Sequence, residues 1–265
     1  MRTHIAAERQ DFIVDRDLIL GQIRASEESF RTALVGAELT WHEAPKVDSA
    51  LVKRFRSDGY QFVLHPSPAL WPQRIFGVNG DALSDDEIGR YLVLAQELRR
   101  ARIVHSLARG HQLPGYFYGM RHDIAGIMPS PSSSNPSMLG TPADHKHLMT
   151  ALAEGLDNLA DIRAGGESDQ RPSMFWIPPA VSPLTGKMAI RLAAPAFHNG
   201  LPFAMLVTEY EPEFLTTPLR VDQFDGNYLI VSEKGEIVAS TAGHAPGSVL
   251  KDGEPSLGVA RTIGE

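Results

Sequence analysis

The sequence predicts an α+β protein in which a long N-terminal helix precedes an antiparallel five-stranded sheet and a smaller C-terminal lobe. Residues 4–35 contain no proline and a single glycine, and their apolar residues recur at helical spacing. After Pro114 the apolar pattern changes from the helical period of about 3.6 residues to the strand period of about 2. Asn199-Gly200 lies between two apolar runs and indicates a hairpin, since both residues tolerate positive φ. Successive strands joined by short turns favour antiparallel pairing over the alternating strand-helix order of nucleotide-binding sheets.

The composition is that of a folded globular protein. Of 265 residues, 43% are hydrophobic and 22% are charged, which argues against a disordered or fibrous chain. The net charge of −7 comes without any dense basic cluster, so nucleic acid is not an expected partner. The chain has no cysteine, which excludes disulfides, thiolate metal sites and thiol nucleophiles.

The first helix carries a narrow apolar stripe. Spacings of seven and four along such a stripe are typical of a helix that packs against a partner helix. We therefore expect a stalk that forms a homodimer through this stripe, although two shorter helices joined by a bend remain open. The stripe consists of Ile5, Phe12, Ile19, Ile23, Phe30 and Leu34.

Two further helices have clear start signals. Residues 40–81 contain four prolines and are interpreted as an irregular connecting region. Ser84 and Glu87 form a capping box that predicts a helix ending near Gly110. Thr141-Pro142 predicts the start of a third helix, which runs to about residue 163.

The strands follow these helices. They are expected at residues 116–120, 124–128, 174–177, 186–195 and 202–210, with a last hairpin at 227–232 and 236–240. The sequence predicts three parts of the chain. They are a stalk helix at 1–40, a main lobe at 41–220, called the distal lobe below, and a reduced or truncated lobe at 221–265.

Local signatures of catalysis are missing from the sequence. There is no Gly-x-Ser-x-Gly elbow, no P-loop and no Gly-x-Gly-x-x-Gly fingerprint. His145 and His147 lie two residues apart in a predicted helix, which is poor spacing for metal ligands, so they are interpreted as solvated. We therefore predict no catalytic residue, no metal site and no cofactor.

The segment from Arg171 onward resembles the central signature of Cache (PDC) sensor domains. It has an aromatic strand at Phe175-Trp176, a turn containing Thr185-Gly186-Lys187, and a strand ending in Ala193-x-Pro195. Gly200 then provides a turn before a strand of small apolar residues. The resemblance implies a PAS-like sheet and a place in the extracytoplasmic part of histidine kinases, chemoreceptors or cyclic-dinucleotide enzymes.

The resemblance also implies a ligand pocket in the distal lobe, between the sheet and what covers it. Tyr118, Trp176 and Arg191 would line it, the arginine holding a carboxylate or similar anion. In the amino-acid-binding members, an acidic residue in a turn of this segment holds the α-ammonium group of the ligand. This sequence has no acidic residue in that turn, which argues against an amino acid as the ligand. The full set of pocket positions is Tyr116, Tyr118, Met120, Arg171, Phe175, Trp176 and Arg191.

These observations together predict the periplasmic sensor domain of an inner-membrane receptor, most readily a histidine kinase of a two-component system, without catalysis of its own. Its partner would be a small molecule or a periplasmic protein, and membrane spans would flank this segment. Residues 258–265 stop within strand-and-turn sequence, which favours a piece of a longer chain over a cytosolic protein starting at Met1. The alternatives are a chemoreceptor or cyclase input domain, a soluble hydrolase, or a purely structural dimerisation module.

Overall fold

The chain folds into one large sheet with helices on both faces. The computed structural model describes residues 2–43, 48–64, 73–78, 80–109, 113–128, 142–156, 174–217, 219, 228–232, 235–241 and 243–249. The helices are α1 (Arg2–Glu43), α2 (Ser49–Ser57), α3 (Asp85–Arg109) and α4 (Pro142–Ala153). The strands are β1 (Gln61–Leu64), β2 (Gln73–Gly77), β3 (Gly115–Gly119), β4 (Ile124–Met128), β5 (Phe175–Val181), β6 (Met188–His198), β7 (Leu201–Tyr210), β8 (Leu229–Val231) and β9 (Ile237–Ser240).

The main sheet has seven strands in the order β1-β2-β4-β3-β7-β6-β5, and every neighbouring pair is antiparallel. The predicted α+β class, with a long N-terminal helix before an antiparallel sheet, is confirmed. All five predicted strands are present as β3 to β7. The number five is wrong, because the segment interpreted as irregular supplies α2 and two more strands, β1 and β2, at one edge.

The predicted helix cap and the predicted hairpin turn are both present in the structure. The backbone N–H of Ser84 donates to Glu87 Oε2 at 2.8 Å and that of Glu87 donates to Ser84 Oγ at 3.2 Å, which is the predicted capping box at the start of α3. Asn199 and Gly200 both have positive φ, 51° and 77°, as the tight turn between β6 and β7 requires. The helix α4 is shorter than predicted and ends at Ala153.

The helix α1 is one continuous element of 42 residues, so the bent alternative is excluded. The C-terminal part of its predicted stripe does not face outward. Ile23, Phe30 and Leu34 are buried by the chain's own sheet and helices. The prediction that this stripe pairs with a second copy is therefore wrong over these residues, because the intramolecular core already covers it.

Two apolar cores lie on opposite faces of the sheet. On one face α1, α2 and α3 cover Phe117 of β3 together with Leu192 and Leu206 of β6 and β7. On the other face α4 covers Tyr116 and Tyr118. All five residues of β3 are buried, which follows from its central position between β4 and β7.

A small hairpin of β8 and β9 packs beside α1. Val238 and Ala239 of β9 share a core with Ile23 of α1 and Leu215. The hydroxyl of Tyr228 donates to Asp15 Oδ2 on α1. The long helix therefore contacts both the main sheet and this second, smaller sheet.

Candidate functional site

The described pocket positions fall on the sheet face that α4 covers, except for Trp176. Arg191 and Ala193 of β6 lie opposite Glu209 and Val207 of β7, and Val207 lies opposite Tyr116 of β3. Tyr116 and Tyr118 share the core with Met149 and Leu152 of α4: Tyr118 is fully buried and Tyr116 is 2% exposed.

Arg191 is bound to the end of α4 rather than to solvent. It is 8% exposed, and its Nη1 donates to the backbone carbonyl of Glu154 at 3.3 Å. A cation suits this position, because the carbonyls at a helix C-terminus carry partial negative charge. Gly155, at φ 75°, terminates the helix beside it. The Nε of Arg191 has no hydrogen-bond partner among the residues that the structure describes.

Glu209 is a buried carboxyl group directly across the ladder from Arg191 and is 1% exposed. Ser182 Oγ donates to its Oε2 at 2.5 Å and itself accepts from the backbone N–H groups of Leu184 and Thr185. Burial raises the pKa of Glu209, while the Ser182 hydrogen bond and the nearby guanidinium of Arg191 lower it in part. The protonated carboxyl is thus favoured to a higher pH than in water.

Tyr116 fixes the same end of α4. Its hydroxyl donates to the backbone carbonyl of Leu152 at 3.1 Å, and burial raises its pKa well above the ordinary tyrosine value. Arg191 and Tyr116 therefore hold two carbonyl groups from the last turns of α4 against the sheet.

His145 attaches the other end of α4. The sequence interpretation as a solvated residue is wrong, since His145 is 1% exposed. Its Nδ1 lies 3.2 Å from the carbonyl of Gly77 and its Nε2 lies 3.2 Å from Gln61 Oε1. Burial lowers its pKa, because the charged imidazolium is poorly solvated there.

Two further predicted pocket residues lie beside the α4 core. Phe175 is half-buried and lies opposite Ala193, on the α4 face. Met120 is half-buried and packs against the same core. Arg171 lies outside the described residues.

The structure does not bring Trp176 together with Tyr118 and Arg191. It lies opposite Leu192, on the α1 face, and its Nε1 donates to Glu27 Oε1 at 2.8 Å. The predicted pocket of these three residues is therefore wrong about Trp176, because neighbouring residues of a strand point to opposite faces.

Among the described residues of the α4 face are the buried guanidinium of Arg191, the buried carboxyl of Glu209 and the phenol of Tyr116, within a largely apolar core. These groups can orient a small polar molecule by charge-assisted hydrogen bonds. In the described part of the chain, no group of three or more histidine, aspartate or glutamate side chains is placed to hold a metal ion.

Sequence reasoning missed Glu209 and Ser182. The available signal was that Arg191 and Glu209 are each charged residues within otherwise apolar strands joined by the Asn199-Gly200 turn. Charged side chains in such strands are almost always paired when buried.

We expect Glu209 to make stability depend on pH. A carboxyl whose pKa is raised by folding stabilises the protein fully below its ordinary pKa, and this contribution is lost as pH rises through the folded-state value. Chemical denaturation of Glu209→Gln should therefore show a smaller fall in unfolding free energy above about pH 4.5 than the wild type. The exposed Glu213→Gln is the control and should follow the wild type. A Glu209→Gln curve parallel to the wild type would contradict this account.

Comparison with known proteins finds no matching family model and no matching curated protein. Two solved structures of a Campylobacter jejuni chemoreceptor are similar. The ligand-binding domain of Tlp3 in complex with L-valine has a TM-score of 0.37 and 12% identity, over 81% of this chain and 73% of that chain. The sensory domain of Tlp3 (CcmL) with isoleucine bound has a TM-score of 0.36 and 13% identity, with the same coverage.

Proposed function

We propose that this chain is the extracytoplasmic ligand-sensing domain of a transmembrane signalling receptor, related to the Cache sensor domains, without catalysis of its own. The observation that carries the proposal is the attachment of α4. A short helix covers one face of the sheet and is held there by buried polar groups, Arg191, Tyr116 and His145, while a helix of 42 residues covers the other face.

The ligand would be a small carboxylate. Arg191 already binds a carbonyl oxygen of the chain through Nη1, while its Nε has no partner among the described groups. A ligand carboxylate can accept two parallel hydrogen bonds from a guanidinium, which a single carbonyl cannot. The ligand would replace Glu154 as the acceptor, so binding and the position of the α4 C-terminus would be linked.

Movement at α4 would reach α1 through the sheet. Strands β6 and β7 carry Arg191 and Glu209 on one face and contact α1 and α3 on the other. A change in how α4 is held would therefore alter the surface on which the long helix packs. This geometry suits a domain that converts ligand binding into a helix displacement.

The receptor class and domain division are part of the same proposal. A periplasmic domain of an inner-membrane histidine kinase is the primary hypothesis, and a chemoreceptor or cyclic-dinucleotide-enzyme input domain is the second. The division at 1–40, 41–220 and 221–265 stays a prediction. No helix among the described residues has the length and apolar character needed to cross a membrane.

Dimerisation would use a different face of α1 from the one that the sequence suggested. Val14 and Leu18 are 48% and 42% exposed, and Gly21 and Ala25 follow them on the same side. Small residues next to exposed apolar ones allow two helices to approach closely. We therefore place a homodimer contact on this surface, which we call the α1 seam.

The ligand hypothesis predicts that Arg191→Gln weakens binding. Calorimetric and thermal-shift screening of small carboxylates, with and without an α-amino group, should identify compounds that stabilise the wild type. A charged hydrogen bond contributes about 1.5–3 kcal/mol, so affinity should fall about tenfold or more in the variant.

Two further variants show whether the effect is specific to the α4 face and to the charge of the ligand. Trp176→Phe, on the opposite face, should bind like the wild type. Glu209→Gln should weaken only ligands that carry an ammonium group, and should leave simple carboxylates unchanged. Equal losses in Trp176→Phe and Arg191→Gln, or no stabilisation by any carboxylate, would refute the assignment.

The α1 seam predicts that Leu18→Glu weakens a dimer, because it places a charge in an apolar contact. Sedimentation velocity over a range of concentrations should show a dimer for the wild type and a shift toward monomer for the variant. Leu201→Glu, at a leucine that is 72% exposed at the start of β7, is the control and should not change the dimer. A monomeric wild type, or equal effects of both substitutions, would rule out the seam.

A further inference from the structure

A cleft of about 690 Å³ lies between α1 and α3, on the sheet face opposite α4. Its walls are mostly apolar, with Phe30, Ala33 and Leu39 from α1 and Leu98 and Ala101 from α3. Leu206 of β7 lies at its floor. The volume is within the range of small-molecule sites, which is roughly 300–1,000 Å³.

The floor also holds a buried cation. Arg102 Nη2 donates to the backbone carbonyl of Val207 at 2.7 Å, while its buried Nη1 has no hydrogen-bond partner among the described residues. The guanidinium packs against Gly115, where a Cβ atom would come within 1.9 Å of Nη1. Burial lowers the pKa of Arg102 to about 10, which leaves it charged at neutral pH.

Among the described residues, no carboxylate forms a hydrogen bond or an ion pair with Arg102, although the charge of Glu209 raises its pKa in part. A buried charge with one backbone carbonyl as its acceptor among the described residues is costly, and an anion that reached Nη1 would offset that cost. Arg100, His105 and Glu97 also line the cleft. Ser29 Oγ lies 2.5 Å from His105 Nδ1.

We propose that the cleft between α1 and α3 binds an amphiphilic anion, with an apolar body along the α1 and α3 walls and an acid group that pairs with Arg102. Apolar walls select the body, and the guanidinium on the floor selects the charge. This site is separate from the one proposed under α4 and lies on the other face of the sheet.

The position of the cleft gives such a ligand a direct effect on α1. An occupant would contact α1 at Phe30, Ala33 and Leu39 and would hold it against α3. It would therefore stabilise the packing of the same helix that the ligand under α4 reaches only through the sheet. A second copy of the chain is the competing occupant, since Val35 and Val104 at the rim are also exposed.

Decanoate, used below its micelle-forming concentration, is the probe, and 1-decanol is its uncharged counterpart. Titration calorimetry on the intact chain should show decanoate binding at least tenfold tighter than decanol. Arg102→Gln should weaken decanoate about tenfold and change decanol less than twofold. Arg54→Gln, an exposed arginine on α2, is the charge-matched control and should bind both like the wild type.

Gly36→Leu tests the volume independently of the charge. A Cβ at Gly36 would meet only Glu97 Oε1 at 3.9 Å, so the helix tolerates a side chain there, and a leucine would fill the cleft. It should weaken both decanoate and decanol while circular dichroism shows an intact fold. Arg191→Gln should leave decanoate binding unchanged, which separates this site from the one under α4.

Three results would overturn the proposal. Equal affinity for decanoate and decanol would remove the role of Arg102. Unchanged decanoate binding in both Arg102→Gln and Gly36→Leu would place the ligand elsewhere. No decanoate binding, together with a dimer that Gly36→Leu disrupts, would show that the cleft is an interface between two copies.

Discussion

The central strands β3, β6 and β7 are buried on both faces, and the rest of the structure follows from that constraint. Phe117 and Tyr118 of β3 point to opposite faces, and each is at most 1% exposed. Burying one such side chain contributes about 1.5–3 kcal/mol, but only where a covering layer exists. The α1 and α3 helices form that layer on one side. The 12-residue α4 forms it on the other, so the sheet depends on how firmly α4 is attached.

That attachment combines apolar packing with a few buried polar contacts. Met149 and Leu152 pack on the sheet, while His145 holds the start of α4 and Arg191 and Tyr116 hold its end. Polar contacts of this kind depend on geometry more than apolar ones do, because a buried donor that loses its acceptor costs about 1–3 kcal/mol. A ligand that offers Arg191 a better acceptor can therefore shift α4 without unfolding the sheet. Structural stability and ligand response would then depend on the same few groups.

The sequence predicted those parts of the fold that local chemistry determines. The Ser84-Glu87 capping box and the Asn199-Gly200 turn are both formed as expected. Strands β1 and β2 were missed because they are short and separated by prolines, and β2 joins the main sheet through β4, which lies far along the chain. The partner of Arg191 was not predictable from the turn alone: a regular register from the turn would place Arg191 opposite Thr208. A bulge between Ala196 and Phe197 shifts it to Glu209. Trp176 was assigned to the wrong face because the pairing of β5 with β6 is set by tertiary packing.

Amide hydrogen exchange measures how firmly α4 is attached to the sheet. Amide exchange over Pro142–Ala153 would be followed by mass spectrometry with and without a carboxylate that stabilises the protein, and compared with β3 and β7. We expect the ligand to change exchange in α4 selectively, because Arg191 leaves the carbonyl of Glu154 and binds the ligand. Exchange in α4 that the ligand leaves unaltered, or that changes only in step with the whole sheet, would contradict it.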